Sequence, residues 1–233
     1  MLELKNINCF YGAVQVLREL SLMAEAGRVL CVLGRNGAGK TTMLKTIMGL
    51  LKPRSGGIFL DGIDLTQLPA HEVPGQGIAY VPQGRRLFAD LSVRENLEIG
   101  LMARRKGDET LQRVLSSFPV LGERLRQRAG TLSGGEQQML AMARALCLEP
   151  KVMLLDEPTE GLMPSMIARV RDSVRMLREQ SVATVLVEQR VDAVLPVADR
   201  VAFMETGRVR AVTDVAALRD DPALLHRYMG VGH

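Results

Sequence analysis

The apolar residues at the start of the chain come in short stretches with the alternation typical of β-strands. Apolar and polar positions alternate over residues 2–7 and 14–22, and turns containing Gly12 and Gly27 end the two stretches. Continuous apolar runs of three to five residues follow at 29–33, 58–60, 78–81, 152–155, 183–187 and 201–204. Short runs without a polar face predict strands that are buried on both sides.

Between these runs the apolar residues change to helical spacing. Residues 93–148 carry apolar positions three or four apart and contain no convincing strand, so they predict a helical insertion. The same spacing predicts helices at 43–48 and 167–177, and a polar helical tail at 216–229. Short strands alternating with helices predict an α/β fold with a parallel sheet covered on both faces. No segment repeats, so the pattern predicts a single unit.

The composition is that of a globular domain without a membrane segment. The chain has 233 residues, 47% of them hydrophobic and 24% charged, which is enough for one well-buried core. No apolar run approaches the roughly 20 residues of a membrane helix, and the first residues lack the pattern of an export signal. Cys9, Cys31 and Cys147 lie far apart and predict core residues in a reducing compartment.

The net charge of +4 changes this picture little. The basic residues are dispersed except for short clusters at 104–106 and 124–128. Aromatic residues make up only 3% of the chain and Trp is absent, so platforms for stacking on bases are scarce and no nucleic-acid partner is expected. The basic residues indicate either a solvated face or contact with an anionic membrane surface or an acidic partner.

The segment GRNGAGKTT at residues 34–42 carries the clearest chemistry. It fits the pattern G-x-x-x-x-G-K-[ST] and lies between the run 29–33 and the helical stretch 43–48. In this strand, loop and helix order, backbone N–H groups and the helix N-terminus together form a concave site for phosphate. We expect Lys40, on a solvent-facing loop, to meet the β- and γ-phosphates, and Thr41 to bind Mg²⁺. The sequence therefore predicts a nucleoside triphosphate site.

Two acids follow the apolar run 152–155. Asp156 and Glu157 are placed at the carboxyl edge of a parallel sheet, where ligands bind in such folds. We expect Asp156 to belong to the Mg²⁺ shell and Glu157 to accept a proton from an attacking water. The alternative is that the pair only caps a helix.

A third motif, LSGGEQ at residues 132–137, opens the helical stretch that continues to residue 146. Ser133 is a good N-cap, and the two glycines after it expose backbone N–H groups at a helix start. On its own the motif is a capped turn, but a P-loop kinase would leave it unexplained.

Together the three motifs resemble those of the ATP-binding-cassette (ABC) ATPases over essentially the whole chain. The resemblance implies a P-loop NTPase core with a parallel sheet, an N-terminal antiparallel β subdomain and a helical insertion subdomain. It implies one nucleotide-binding domain over 1–233, with 1–84 and 150–233 as core and 85–149 as the helical subdomain. ATP and Mg²⁺ are the implied cofactors.

The resemblance also implies the members of the site. Glu157, Gln189 and Gln83 take catalytic positions, and Thr41, Gln83 and Asp156 are the metal candidates. Tyr11 matches the aromatic residue that stacks on adenine. The implied ATP contacts are Tyr11, Gly34, Arg35, Asn36, Gly37, Ala38, Gly39, Lys40, Thr41, Thr42, Ser133, Gly134, Gly135 and Glu136. The last four would reach the ATP of a second cassette paired head to tail with the first.

Two positions depart from the usual pattern of the family. Met163 stands where an Asp is common, and Gln189 stands where the switch His is common. An amide donates a hydrogen bond to a phosphate oxygen but carries neither a proton nor a charge. With the segment 81–88 (VPQGRRLF), these departures resemble the shorter ATPase of branched-chain amino-acid importers, and importers of urea or short amides are similar.

The expected function is ATP hydrolysis that energises a membrane importer. The expected partners are integral-membrane permease subunits and a second ABC ATPase, identical or different, with the chain peripheral at the cytoplasmic face of the inner membrane. A soluble ABC protein acting in DNA repair or on ribosomes is the alternative from another class. Those proteins carry long insertions or two fused cassettes, which this chain lacks.

Overall fold

The computed structural model describes residues 1–104 and 106–220. The described residues form an α/β structure with ten strands: β1 (Leu2–Tyr11), β2 (Val14–Ala24), β3 (Val29–Leu33), β4 (Ser55–Leu60), β5 (Ile63–Asp64), β6 (Ile78–Val81), β7 (Val152–Asp156), β8 (Ala183–Glu188), β9 (Arg200–Glu205) and β10 (Arg208–Asp214). They also form eight α-helices: α1 (Lys40–Ile47), α2 (Val93–Ala103), α3 (Asp108–Ser117), α4 (Pro119–Gly122), α5 (Gly134–Leu146), α6 (Pro164–Glu179), α7 (Val191–Val194) and α8 (Val215–Asp220). Short 3₁₀ helices lie at Val73–Gln76 and Ala129–Thr131.

The larger sheet has six strands in the order β10-β9-β3-β8-β7-β6. The five strands from β9 to β6 are parallel, and β10 joins the edge antiparallel to β9. Strands β3, β7 and β8 are buried along their whole length, as continuous apolar runs predict. Because these strands run in the same direction, their carboxyl ends meet at one edge of the sheet.

The smaller sheet is antiparallel, with the order β2-β1-β4-β5. Strands β1 and β2 form a long hairpin whose pairing shifts register at several points, and β4 pairs with the other edge of β1. This sheet is the antiparallel β subdomain expected near the N-terminus.

Two apolar layers cover the larger sheet. Side chains of β3 alternate between them, so that Cys31 and Leu33 face one layer while Leu30 and Val32 face the other. The first layer contains residues of the helical insertion and α6, and the second contains the antiparallel sheet and α1. The parallel sheet is therefore the middle of the structure.

The predicted helical insertion consists of α2 to α5. Helices α2 and α5 approach closely at Gly100, where a Cβ atom would lie 2.4 Å from the carbonyl oxygen of Arg144. The apolar residues of α2, α3 and α5 belong to the same continuous cluster as the β3 residues Val29 and Cys31. Close helix packing thus holds the insertion together, and the shared apolar cluster joins it to the parallel sheet.

Some elements differ from the sequence expectation. The pattern predicted neither β10 nor α7, and the predicted tail helix is seen as α8 up to Asp220, while its remaining part lies outside the described residues. All three cysteines are buried and unpaired, as expected. Within residues 1–104 and 106–220, no helix combines the length and apolar character needed to cross a membrane.

Candidate nucleotide-binding and catalytic site

The glycine-rich loop connects the carboxyl end of β3 to α1. Gly37 and Gly39 have φ angles of 79° and 103°, in the left-handed region that favours glycine. A Cβ atom on Gly34 would lie 2.3 Å from the carbonyl oxygen of Met204, so no larger residue fits there. The motif glycines therefore let the loop turn tightly against β9 and lead into α1.

Lys40 is the first residue of α1 and is only 5% exposed, so its expected position on a solvent-facing loop is wrong. Its ammonium donates hydrogen bonds to the carbonyl oxygens of Gly34 at 2.7 Å and Arg35 at 3.2 Å. It also lies 3.8 Å from Oε1 of Glu157. Burial lowers the pKa of Lys40, and the carboxylates of Glu157 and Asp156 oppose this shift. The hydrogen bonds to the loop carbonyls thus hold the Lys40 ammonium in a buried position against the loop.

Asp156 ends β7 and is almost completely buried. Its Oδ1 accepts a hydrogen bond from the Thr41 hydroxyl at 3.2 Å, and its Oδ2 accepts one from the Tyr80 hydroxyl at 3.0 Å. Burial raises the pKa of Asp156, and the hydrogen bonds from Tyr80 and Thr41 oppose that shift. The contact brings together Thr41 and Asp156, two of the three predicted metal candidates.

Tyr80 was not predicted as a site residue. It lies on β6, which pairs with β7 so that Tyr80 stands opposite Leu154. Burial, and then the charge of Asp156, raise the pKa of Tyr80. Its only signal in the sequence is a hydroxyl inside the apolar run 78–81, and its partner depends on the pairing of β6 with β7.

Glu157 follows β7 with a φ angle of 47°, which is uncommon for a residue with a side chain. Gln189 Nε2 donates a hydrogen bond to Glu157 Oε1 at 2.7 Å, and Gln83 Nε2 donates one to Glu157 Oε2 at 3.3 Å. Gln83 Nε2 also donates to Glu160 Oε2 at 2.9 Å. The structure therefore brings the three predicted catalytic positions into direct contact.

A cavity of about 250 Å³ opens beside these side chains. Its lining contains most of the glycine-rich loop together with Gln83 and Glu157. The residues that line it are Val16, Asn36, Gly37, Ala38, Gly39, Lys40, Thr41, Thr42, Gln83 and Glu157. Tyr11 is 48% exposed at the end of β1 and is not part of this lining, whereas Val16 on the same hairpin is.

The signature residues lie elsewhere in the chain's own fold. Ser133 caps α5 by accepting a hydrogen bond from the Glu136 N–H at 3.3 Å, and Glu136 accepts one from the Ser133 N–H at 2.9 Å. The pKa of Glu136 is lowered, chiefly by the hydrogen bond from the Ser133 hydroxyl. The guanidinium of Arg85 lies over Gly134, and Met166 packs against Gly135. Ser133, Gly134, Gly135 and Glu136 do not line the cavity of their own chain.

Sequence reasoning also missed Thr159 and Glu188. Both are buried polar residues: Thr159 lies in the loop after β7, two residues beyond Glu157, and Glu188 ends β8 next to Gln189. Thr159 donates to Glu188 through both its N–H and its hydroxyl, at 3.0 and 2.6 Å. The sequence analysis gave neither residue a role, because their contact depends on the adjacency of β7 and β8.

Comparison with known proteins agrees with this geometry. The family model described as ABC transporter matches residues 17–160. The chain is 42% identical to the high-affinity branched-chain amino acid transport ATP-binding protein BraG of Pseudomonas aeruginosa, over 99% of this chain and 100% of the relative. The chain belongs to the ABC transporter family. It is an ATP-binding ATPase of that family, coupled to transport, and the predicted resemblance to branched-chain importer ATPases is confirmed.

Further relatives agree with this family assignment. The probable branched-chain amino acid transport ATP-binding protein LivF of Archaeoglobus fulgidus is 39% identical over 90% of each chain. The crystal structure of an ABC transporter cassette in its ADP conformation superposes with a TM-score of 0.87 at 27% identity, over 99% of this chain and 98% of that one. A dimeric cassette bound to ADP and Pi superposes with a TM-score of 0.82 at 25% identity, over 92% and 99% of the two chains.

Proposed function

We propose that this chain is the ATPase subunit of a membrane importer for branched-chain amino acids. The observation that carries the proposal is the convergence of Lys40, Gln83, Glu157 and Gln189 beside the glycine-rich loop. The names of the two relatives reported above supply the solute, since both are branched-chain amino acid transport proteins. The alternative is an importer of urea or short amides, because the ATPases of such importers have similar motifs.

ATP binding would use residues Gly34 to Thr42. The loop N–H groups and the N-terminus of α1 offer donors to the phosphates. The Lys40 ammonium would replace its hydrogen bonds to the loop carbonyls by hydrogen bonds to phosphate oxygens. Tyr11 is proposed to stack on adenine from the end of the β1–β2 hairpin, beyond the cavity that Val16 lines.

Thr41, Asp156 and Gln83 are proposed to hold Mg²⁺. All three offer oxygen atoms, the ligands that Mg²⁺ prefers, and the Thr41 hydroxyl already lies 3.2 Å from Asp156. Within the described residues no cluster of three His, Cys, Asp or Glu side chains forms a separate metal site. When bound, the ion would neutralise charge on the phosphate oxygens.

Glu157 is proposed as the general base. Its carboxylate takes a proton from the water whose oxygen bonds to the γ-phosphorus, and the bond from that phosphorus to the ADP oxygen breaks. Gln189 would hold the carboxylate oriented and donate to a γ-phosphate oxygen during the reaction. The neighbouring amide of Gln83 would couple the metal position to the base.

The partners are proposed to be a second cassette and a permease. Since Ser133 to Glu136 lie outside the cavity of their own chain, they are available to the ATP of a cassette paired head to tail, and a dimeric cassette is among the similar structures.

Phe88 would meet a cytoplasmic helix of the permease. Its ring is 49% exposed, while the fully buried Asn96 holds its backbone through two hydrogen bonds at 3.1 and 3.0 Å. The chain would thus lie peripherally at the cytoplasmic face of the inner membrane.

An uptake experiment tests the proposal as a whole. Deletion of the gene should abolish high-affinity uptake of radiolabelled leucine, isoleucine and valine, and leave the uptake of urea unchanged. The wild-type gene should restore uptake and the Glu157→Gln variant should not. The tagged protein should also co-purify with integral-membrane subunits. Loss of urea uptake alone would favour the alternative solute, and purification without membrane partners would contradict a role in transport.

A further inference from the structure

Glu188 connects the two loops that carry Glu157 and Gln189. Its side chain, at the carboxyl end of β8, is 3% exposed. Oε1 accepts hydrogen bonds from the N–H and the hydroxyl of Thr159 at 3.0 and 2.6 Å, and Oε2 accepts one from the Gln189 N–H at 3.3 Å. Burial of a carboxylate costs free energy that three donors offset in part. A buried acid with donors on two loops holds those loops at a fixed separation.

These bonds close a ring around the proposed base. From Glu157 the main chain leads to Thr159, whose hydrogen bonds lead to Glu188 and on to Gln189. The side chain of Gln189 then returns to Glu157 Oε1 at 2.7 Å. The main chain of Glu157 is anchored as well, because its N–H donates to the carbonyl oxygen of Val187 at 2.9 Å.

The ring explains how Glu157 keeps its left-handed backbone. A non-glycine residue with a φ of 47° persists only where its surroundings hold it, and such residues cluster at functional sites. Thr159, two residues further on, fixes the turn from one side, and the pairing of Asp156 with Val187 fixes it from the other. Glu188 supplies the acceptor for Thr159.

We infer that Glu188, acting through Thr159 and the Gln189 backbone, is a positioning residue for ATP hydrolysis. It sets the Glu157 carboxylate and the Gln189 amide at the separation that the reaction uses, through hydrogen bonds from Thr159 and from the Gln189 backbone. This inference rests on the proposed role of Glu157 as base.

The test compares the full-length protein with four variants. Thr159→Val removes the hydroxyl at nearly constant volume and Thr159→Ser keeps it. Glu188→Gln removes the charge and replaces one of the two acceptor oxygens by an NH2 group, which then faces a hydrogen-bond donor of Thr159 or Gln189. Thr184→Val is the matched control, because Thr184 on β8 is equally buried and its hydroxyl has no hydrogen-bond partner in the described part of the chain. Steady-state ATPase assays give kcat and KM, and hydrogen exchange of the apoprotein reports on peptides covering 157–162 and 187–190.

Thr159→Val and Glu188→Gln should lower kcat about tenfold or more, the effect of one lost hydrogen bond to a charged group. KM for ATP should stay within about twofold, because the glycine-rich loop is unaltered. Thr159→Ser and Thr184→Val should behave like wild type. Exchange should accelerate in the two loop peptides of Thr159→Val and Glu188→Gln but not in a peptide covering 29–47.

A wild-type kcat in Thr159→Val, or an equal loss in Thr184→Val, would overturn the inference, because the effect would then be absent or general. If Glu157→Gln were as active as wild type, the proposed base would be wrong, and with it the catalytic meaning of the ring. The exchange measurement, which needs no turnover, would then still show whether Glu188 fixes the two loops.

Discussion

The ammonium of Lys40 lies 3.8 Å from the carboxylate of Glu157, and both side chains are at most 9% exposed. The pair joins the loop after β3 to the end of β7 across the parallel sheet. The carboxylate offsets the charge of the Lys40 ammonium, and the two loop carbonyls accept hydrogen bonds from it. Without these partners the buried ammonium would be costly in free energy. Phosphate oxygens would compete with those same acceptors for Lys40.

Lys40→Ala should therefore weaken MgATP binding by about 10- to 100-fold, the range for a lost hydrogen bond to a charged group. The fold should remain, because Glu157 keeps its hydrogen bonds from Gln189 and Gln83. Lys45→Ala, the same change at an exposed position of α1, should bind like wild type. Calorimetry measures both, and an unchanged affinity in Lys40→Ala would show that the phosphate-loop assignment is wrong.

The parallel sheet could be predicted because its buried strands correspond to short apolar runs in the sequence. Residues 29–33 and 152–155 are apolar throughout and 183–187 are apolar except for Thr184, as strands buried on both faces require. Strand β10 was missed because it lies at the sheet edge, where half-buried residues alternate with exposed ones. Helix α7 spans only four residues, too few to show a period.

The candidate site divides in the same way. The glycine-rich loop and the pair Asp156 and Glu157 carry local motifs, so the sequence predicted them. Tyr80 and Glu188 act through partners on neighbouring strands, and no local pattern reveals which strands are adjacent. The burial of Lys40 was missed because it results from carbonyl groups that the loop turns inward.

Phe88 gives a prediction about recruitment. Phe88→Asp should abolish association with permease-containing membranes, because a charge replaces the apolar ring, while ATP binding stays as in wild type. Ile63→Asp is the control, since Ile63 is similarly exposed, 53% against 49%, but belongs to the antiparallel sheet on the other side of the structure. Membrane flotation with ATP-binding assays measures both. Normal recruitment of folded Phe88→Asp would exclude Phe88 from the contact.

Glu149 gives a prediction about stability and pH. Lys106, together with Thr110 and Arg113, lowers the pKa of Glu149. These three contacts connect α3, and Lys106 just before it, to the segment that precedes β7. Because the folded-state pKa lies below the unfolded value of about 4.3, the stabilisation is complete above that pH and is lost as pH falls through the folded-state pKa.

Glu149→Gln should thus lower the free energy of unfolding by about 1 kcal/mol at pH 7. The difference from wild type should shrink as the pH falls below about 4.3. Glu123→Gln, an exposed position at the C-terminal end of α4, should have no such effect. Urea unfolding at several pH values measures this, and a difference that grew on acidification would contradict the assignment.

The Glu157→Gln variant tests the central claim most directly, because Gln keeps the size of the side chain and removes only the proton acceptor. Single-turnover phosphate release from MgATP should slow by about 10²–10⁴-fold, and size-exclusion chromatography with MgATP should show an accumulated dimer. Glu160→Gln changes the other carboxylate that Gln83 contacts and should lower the rate far less. Phosphate release from Glu157→Gln at the wild-type rate would contradict the role of Glu157 as the base.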